Sequence, residues 1–341
     1  MRVNRRSIVL SVIVIVFVAF LVGYRLPYYI YKPGGADALN PIVEVTDGYE
    51  SDGDMHLVTV RGGPATPFQY LLASIRPYHD IDPIEEVFPE GISQEDYHKA
   101  QLQMMESSQK QSTVVAYQAA GADIDINYEG IYVVNVMEGM PADGILQTGD
   151  KILQVDNQTI SKTDHLIDYV SSKQPGAVIT LTVERNQERV ETEMELESFP
   201  DQDKVGLGIG LVTNLEIEHV EPEVKFASGE IGGPSAGLMF SLEIYDQLTE
   251  LDISKGYHIA GTGEISYEGQ IGRIGGIDKK VIAADSQGCD IFFAPNEGGA
   301  DDSNYKIASQ TAEDIETDME IVPVDTFDDA LKYLEELPPK E

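Results

Sequence analysis

The chain has few of the residues on which several classes of protein depend. It contains one cysteine, Cys289, which excludes an intrachain disulfide and a multi-cysteine metal site. Its six histidines occur in neither HxxxH nor HxH spacing, so we predict no metal site and no cofactor. A GxxxxGK[ST] phosphate loop is also missing, and we therefore predict that no nucleotide binds.

Basic residues are scarce as well. The chain carries 23 Lys or Arg against 59 Asp or Glu over 341 residues, a net charge of −36. Such a polyanion gains no counterion release from nucleic acid, which excludes nucleic acid as the main partner. The hydrophobic content of 42% is ordinary for a globular protein and suffices for two domain-sized cores.

One long apolar segment stands near the start. Residues 7–24 carry no charge, and arginines precede them within a tail of residues 1–6. By the positive-inside rule we expect a cytoplasmic tail, a single transmembrane anchor and an extracytoplasmic remainder at the cell membrane. The alternative is a cleaved signal peptide. Tyrosines that follow the segment suit a membrane interface: Tyr24, Tyr28, Tyr29 and Tyr31.

Residues 124–197 have the pattern of a small β-rich domain. Strands are predicted before and after the turn at 141–144, a helix over 163–172, and a hairpin from 178–184 and 189–196. The sequence resembles a PDZ domain over nearly this whole length, in motifs that start at Glu129, Pro141 and Leu146.

The PDZ resemblance implies a peptide site. PDZ domains add an extended peptide to a sheet edge, and backbone amides of a glycine-containing loop receive its carboxylate. Carried over, the site residues are Gly130, Ile131, Tyr132 and Val133, although their sequence is not the usual Gly-Leu-Gly-Phe. A spacer domain without a ligand is the alternative.

The segment 229–248 (GEIGGPSAGLMFSLEIYDQL) contains a candidate nucleophile. Pro234 is predicted as the first residue of an amphipathic helix, which puts Ser235 in the first turn. Uncommitted amides and the positive helix end at this place suit an oxyanion next to a nucleophilic hydroxyl. The same residues would also serve as an ordinary helix cap.

A serine nucleophile needs a base. His219 and His258 are candidates by residue type alone. In the predicted helix after Gly276, Lys280 flanks the apolar stripe while Lys279 points away. Burial against that stripe would favour the neutral amine of Lys280; the alternative is a lysine that extends to solvent.

Three motifs taken together resemble the proteolytic domain of Lon serine proteases: Gly233–Gly237, Thr262–Ile265 and Gly275–Lys280. The resemblance implies a Ser/Lys dyad with Ser235 as nucleophile and Lys280 as general base, Lys279 being the substitute if the register is off by one. Thr262 would support the lysine, and the amides of Gly233 and Ser235 would hold the oxyanion. The family often has an acid three residues before the serine, where this chain has Gly232.

The resemblance continues upstream of the PDZ-like region. A helix from about Ser93 to Ala119, and the strand HLVTVR at 56–61, resemble parts of the same proteolytic domain. We therefore expect an α+β catalytic domain made of residues 41–120 and 200–338, with the PDZ-like domain inserted. A linear arrangement of the domains is the alternative.

Taken whole, the chain resembles the membrane-anchored PDZ–Lon proteases of Gram-positive bacteria. This implies an ATP-independent serine endopeptidase that cleaves exported peptides or membrane-anchored or unfolded extracytoplasmic proteins. The PDZ domain would recruit substrate or gate the site, and a homo-oligomer is possible in this family. The competing hypothesis is an anchored PDZ scaffold with an inactive Lon fold.

Overall fold

The computed structural model describes residues 5–88, 93–199 and 204–340. The chain divides into two compact units, one made of Met1–Asp123 with Glu221–Glu341, the other of Ile124–Val220. The first unit is therefore discontinuous in sequence, and the second is an insertion in it.

The described residues form both helices and strands. The helices are α1 Arg5–Gly23, α2 Pro67–Ala73, α3 Ile84–Val87, α4 Gln94–Ala120, α5 Thr163–Ser171, α6 Gly237–Leu248, α7 Ile277–Gln287, α8 Asn304–Asp314 and α9 Phe327–Glu336. The strands are β1 Tyr28–Ala38, β2 Val43–Val45, β3 Asp54–Pro64, β4 Asp80–Pro83, β5 Asp123–Val136, β6 Lys151–Val155, β7 Gln158–Thr159, β8 Val178–Arg185, β9 Glu188–Glu195, β10 Glu197–Ser198, β11 Val205–Gly206, β12 Ile209–Glu221, β13 Val224–Phe226, β14 His258–Gly261, β15 Glu264–Ile265, β16 Ile271–Gly272, β17 Ile291–Pro295 and β18 Glu320–Val324.

A six-stranded mixed sheet forms the framework of the first unit, in the order β18-β17-β14-β3-β1-β4. The strands from β18 to β3 run parallel, and β1 is antiparallel to both of its neighbours. Helix α7 contacts β1 and β3, and its buried Val281 and Ala284 belong to the same core as Val58, Ala260 and Phe292. The sheet thus fixes the position of α7 relative to β14.

The long helix predicted for 93–119 is confirmed as α4. The Ser93 hydroxyl caps it by accepting from the Asp96 amide, and Gly121 ends it in the left-handed conformation at φ 66°. Buried small polar residues of α4, such as Ser108 and Ser112, lie on the side that packs against α6. This packing places α4, which precedes the insertion in sequence, against α6, which follows it.

The first unit begins earlier in the chain than residue 41. Residues 28–38 form β1, which pairs with β3 through Tyr29↔Pro64 and with β4 through Tyr28↔Pro83. Tyr28, Tyr29 and Tyr31, which we expect at a membrane interface, belong to this paired strand of the sheet.

At the N-terminus, α1 exposes apolar side chains on all of its faces, including Leu10, Ile15 and Phe17. Across the ranges described here, no helix meets the length and apolarity needed to traverse a membrane.

The second unit is built on a sheet in the order β12-β5-β6-β8-β9, with β7 paired to β6. The predicted helix and hairpin are present as α5 and β8–β9. Its core is formed by Ile131, Ile152, Leu166 and Leu181 among others. The expected range of 124–197 is shorter than the unit, which continues to Val220 because β12 pairs with β5.

Candidate active site

Ser235 lies in a turn directly before α6, whose N-cap is Ala236. The prediction that the helix starts at Pro234 is wrong by three residues, because Gly233 takes a φ of 94° that turns the chain. On the α4 side, the Ser108 hydroxyl donates to the Pro234 carbonyl at 3.0 Å. The turn that carries Ser235 is therefore held from outside its own helix.

Close packing also fixes the start of α6. A Cβ at Gly237 would stand 2.6 Å from Ile265 Cγ2, which only glycine avoids. The Ser112 hydroxyl donates to the Gly237 carbonyl at 2.8 Å. Ser108 and Ser112 were not predicted as site residues. The sequence feature that indicates them is a pair of small polar residues four positions apart in a helix.

Lys280 meets Ser235 and Thr262 at one point. Its Nζ lies 2.6 Å from Ser235 Oγ and 2.9 Å from Thr262 Oγ1. Thr262 Oγ1 in turn donates to the Ser235 carbonyl at 2.9 Å, and the Gly263 amide donates to the same carbonyl at 3.0 Å. The structure thus brings together all three side chains that the sequence singled out.

Strand β14 ends just before Thr262, and this interruption permits the arrangement. Strand β14 ends at Gly261 and β15 begins at Glu264. Between them, Thr262 donates its amide to Phe293 of β17 and Gly263 donates to Ser235. Thr262 thus keeps a backbone bond to β17, and the chain leaves the ladder at Gly263, which bonds with the serine turn.

The amine of Lys280 is electrostatically unusual. Lys280 is 4% exposed, and burial lowers the pKa of its amine from 10.5 to about 7, while the charge of Glu264 raises it by a smaller amount. Water solvates an ammonium far better than a buried site does, so the neutral amine is favoured. A neutral amine near pH 7 accepts a proton.

Lys279 has the opposite environment, although it is also buried. Its Nζ lies 2.5 Å from Asp80 Oδ2 and 3.0 Å from Asp278 Oδ2. Burial lowers its pKa, but hydrogen bonds to Asp80 and Asp278 outweigh this and raise the pKa overall. The expectation that Lys279 points to solvent is wrong, because ion pairs hold the amine inside.

Backbone donors for an oxyanion differ in part from the prediction. The Gly233 amide donates to the Gln101 carbonyl at 2.8 Å and is not free. The amides of Ser235 and Ala236 bond to no acceptor in the described ranges, and both precede the positive end of α6. They are the donors that suit an oxyanion at this serine.

A cavity of about 740 Å³ opens at the serine. Ser235 and Lys280 line it together with Glu264 and residues 57–61 of β3. Its volume is in the range of sites that hold peptide-sized ligands. The hydroxyl and the amine are thus accessible to a substrate from one side.

The histidine candidates have other surroundings. His258 Nδ1 lies 2.6 Å from Asp54 Oδ1, whereas the Ser235 hydroxyl bonds with Lys280. His219 belongs to the second unit. A serine hydroxyl against a buried amine, with a threonine hydroxyl beside it, has the components of a Ser/Lys hydrolase site.

In the second unit, Gly130–Val133 do not lie at a free edge. They are part of β5, which has β12 on one side and β6 on the other, where Ile131 pairs with Ile152. Ile131 and Val133 are buried in the core. A peptide cannot add to β5 as a further strand, because β12 and β6 already pair with its two edges.

The groove of this unit is elsewhere. A cavity of about 150 Å³ lies between α5 and the segment 205–211, next to the edge strand β12. Residues 206–209 read Gly-Leu-Gly-Ile, close to the Gly-Leu-Gly-Phe loop, and this was the signal that the sequence analysis missed. The amides of Leu207 and Gly208 have no acceptor among residues that the structure describes.

Two family models match consecutive parts of the chain. Residues 201–336 match the family model "Lon protease (S16) C-terminal proteolytic domain", and residues 100–196 match that of the PDZ domain. The chain therefore contains a PDZ domain and a Lon-type proteolytic domain, which is the domain of a serine-type peptidase.

Individual relatives match a part of this chain. Lon protease of Metamycoplasma arthritidis is 30% identical over 125 residues, 36% of this chain and 14% of the relative. Lon protease of Campylobacter concisus is 37% identical over 101 residues, 29% of this chain and 12% of the relative. The matched part thus spans less than a fifth of these relatives.

Among solved structures, the PDZ domain of an SdrC-like protein from Listeria monocytogenes is 27% identical. The match covers 26% of this chain and 93% of that chain, with a TM-score of 0.25.

Proposed function

We propose that this protein is an ATP-independent serine endopeptidase with Ser235 as nucleophile and Lys280 as general base. One observation carries the proposal: Nζ of a fully buried lysine, with a pKa of about 7, lies 2.6 Å from the serine hydroxyl. That distance is within direct proton-transfer range. The alternative of a scaffold with an inactive fold is disfavoured by this intact pair.

The proposed cycle is acyl transfer. Neutral Lys280 takes the Ser235 proton while Oγ attacks the peptide carbonyl, and the amides of Ser235 and Ala236 stabilise the oxyanion. Protonated Lys280 then gives its proton to the leaving amine, and an ester remains on Ser235. Water repeats the sequence: Lys280 takes its proton, the ester breaks and the serine hydroxyl is restored.

Thr262 acts as a positioning residue in this cycle. Its hydroxyl accepts from Lys280 Nζ and donates to the Ser235 carbonyl, so that one side chain holds both partners. The orientation of the lysine then costs no reorganisation at the moment of reaction.

The test is hydrolysis of an unfolded fluorogenic protein by the full chain, with and without ATP. We expect the same cleavage under both conditions, and none with Ser235→Ala or Lys280→Ala. Cleavage that needs ATP would overturn the independence from nucleotide, and cleavage by Ser235→Ala would overturn the nucleophile.

Substrate recruitment or gating is proposed for the groove between α5 and β12. Its support is the edge strand β12 beside an apolar helix face, preceded by the amides of Leu207 and Gly208, for which the described part of the chain offers no acceptor. An extended peptide would add to β12 as a strand and place its carboxylate at these amides. Tethering in this way raises the local concentration of a peptide substrate.

For localisation we propose the cell membrane, with the catalytic part outside and exported peptides or extracytoplasmic proteins as substrates. The support is the apolar surface of α1, which water solvates poorly, and the arginines before it. Cell fractionation with a carbonate wash tests attachment, and protease added to intact protoplasts tests the side. Release by carbonate, or protection from the protease, would contradict the proposal.

A further inference from the structure

A second cluster of reactive side chains lies on β3 and β14, and none of its members lines the dyad cavity. The two strands are parallel neighbours, with His258 opposite Asp54 and Ala260 opposite His56. Asp54 and His56 are two positions apart in β3 and so share one face of the sheet. Pairing between strands distant in sequence thus assembles a group that sequence spacing does not reveal.

The ligand atoms of this cluster converge. His56 Nε2 lies 2.7 Å from Asp54 Oδ1, and His258 Nδ1 lies 2.6 Å from the same oxygen. All three ligand atoms lie within 4.8 Å of one another. Two imidazole nitrogens and one carboxylate oxygen are a donor set that Zn²⁺ and similar transition metals prefer over Mg²⁺ or Ca²⁺.

One atom of the cluster has no partner. His56 is 4% exposed, and its Nδ1 is buried without a hydrogen bond in the part of the chain that the structure describes. A half-satisfied buried imidazole costs free energy that an apolar residue would avoid. Packing alone therefore does not explain a histidine at this position, and its other ring nitrogen, Nε2, is the one that faces the cluster.

The cluster is accessible to an ion. The Asp54 side chain is 28% exposed and that of His258 is 49% exposed. Asp54 also lines a cavity of about 570 Å³ with Glu243 and Asp246.

We propose that Asp54, His56 and His258 bind one divalent transition-metal cation of the Zn²⁺ type. The ion would join β3 to β14 at the ends where these strands begin. Its role is structural: β14 leads directly to Thr262, and β3 lines the dyad cavity, so the ion stabilises the framework of the dyad without contact with the reacting atoms.

The experiment titrates Zn²⁺ and Co²⁺ into the tag-free, chelator-stripped full chain. We expect one ion per chain with a dissociation constant below about 1 μM, and at least about 100-fold weaker binding in His258→Ala and Asp54→Asn. His165→Ala, which removes an exposed histidine outside the cluster, is the matched control and should bind like the wild type.

Two further readouts identify the ligands. Bound Co²⁺ should show visible d–d absorption without the near-ultraviolet thiolate band that Cys289 would produce. Saturating Zn²⁺ should raise the melting temperature of the wild type and not that of His258→Ala. Undetectable binding, equal binding in all variants, a thiolate band, or tighter binding of Ca²⁺ than Zn²⁺ would each overturn the proposal.

Discussion

Lys279 and Lys280 are adjacent in sequence and both buried, yet their amines have opposite electrostatic surroundings. Lys279 forms ion pairs with Asp80 and Asp278, whereas Lys280 Nζ bonds with the hydroxyls of Ser235 and Thr262. The pKa is therefore raised at Lys279 and lowered to about 7 at Lys280. Of the two, only Lys280 is neutral near physiological pH.

This contrast predicts a difference between two matched variants. Lys280→Met should reduce kcat/KM for an unfolded protein substrate by at least about 10³-fold, because the proton acceptor is lost. Lys279→Met should keep kcat/KM within about tenfold while it destabilises the fold, because two carboxylates lose their partner. Initial rates and urea unfolding of both variants check this, and equal losses of activity would contradict it.

Activity should depend on pH through the same amine. Protonated Lys280 cannot accept the serine proton, so kcat/KM should fall as pH drops below about 7 and reach a plateau above it. Measurement of kcat/KM from pH 5 to 9 tests this prediction. A midpoint near 10.5, the ordinary lysine value, would mean that burial does not tune this amine.

Stability should respond to pH with a defined sign. The pKa of Lys280 is lower in the folded state than in the unfolded state, so the unfolded state binds the extra proton between about pH 7 and 10.5. The penalty of the buried amine is therefore complete below pH 7 and fades as pH rises. Lys280→Met should raise the free energy of unfolding at pH 6, on the order of a few kcal/mol.

The measurement is urea denaturation of wild type and Lys280→Met at pH 6 and pH 10. The gain in unfolding free energy should be larger at pH 6. If the gain were the same at both values, proton linkage at this lysine would not be its cause.

Thr262 offers a test of positioning. Thr262→Val keeps the shape but removes the hydroxyl that bonds with Lys280 and Ser235, and we expect roughly tenfold lower kcat with little change in KM. Because that oxygen stabilises the charged amine, its loss should also move the acid limb of the pH profile to lower pH. Thr262→Ser should restore both values, and a purely structural role would leave the midpoint unmoved.

The peptide groove can be tested apart from catalysis. Ile167 is half exposed and lines the groove, whereas Val178 is similarly exposed on β8 outside it. Ile167→Glu should weaken binding of a labelled peptide with a free carboxyl terminus by about tenfold or more, and Val178→Glu should not. Anisotropy titrations show this, and equal affinity for the amidated peptide would argue against carboxylate recognition by Leu207 and Gly208.

The sequence predicted the reactive side chains better than their surroundings. Ser235, Thr262 and Lys280 follow from local motifs, and α4 follows from its cap residues at Ser93 and Gly121. By contrast, the Gly233 amide donates to the carbonyl of Gln101 in α4, which is far away in sequence. Local patterns do not reveal which backbone donors tertiary contacts will use.

Strand pairing was the second source of error. The strand β1 at Tyr28–Ala38 precedes residue 41, the expected start of the catalytic domain, and belongs to the sheet through its pairing with β3 and β4. Gly130–Val133 have the form of a glycine loop, but the pairing of β5 on both sides removes them from any groove. The cluster for which we propose a metal ion depends on the register of His258 with Asp54, which no spacing rule contains.

The most direct test of the account is covalent modification of Ser235 by a phosphonate electrophile, followed by mass spectrometry of the peptides. The reagent reports an activated hydroxyl without the need for a known substrate. The account predicts labelling of Ser235 that increases through about pH 7 and disappears in Lys280→Met but persists in Lys279→Met. Unlabelled Ser235, or equal labelling in Lys280→Met, would contradict a Ser/Lys dyad.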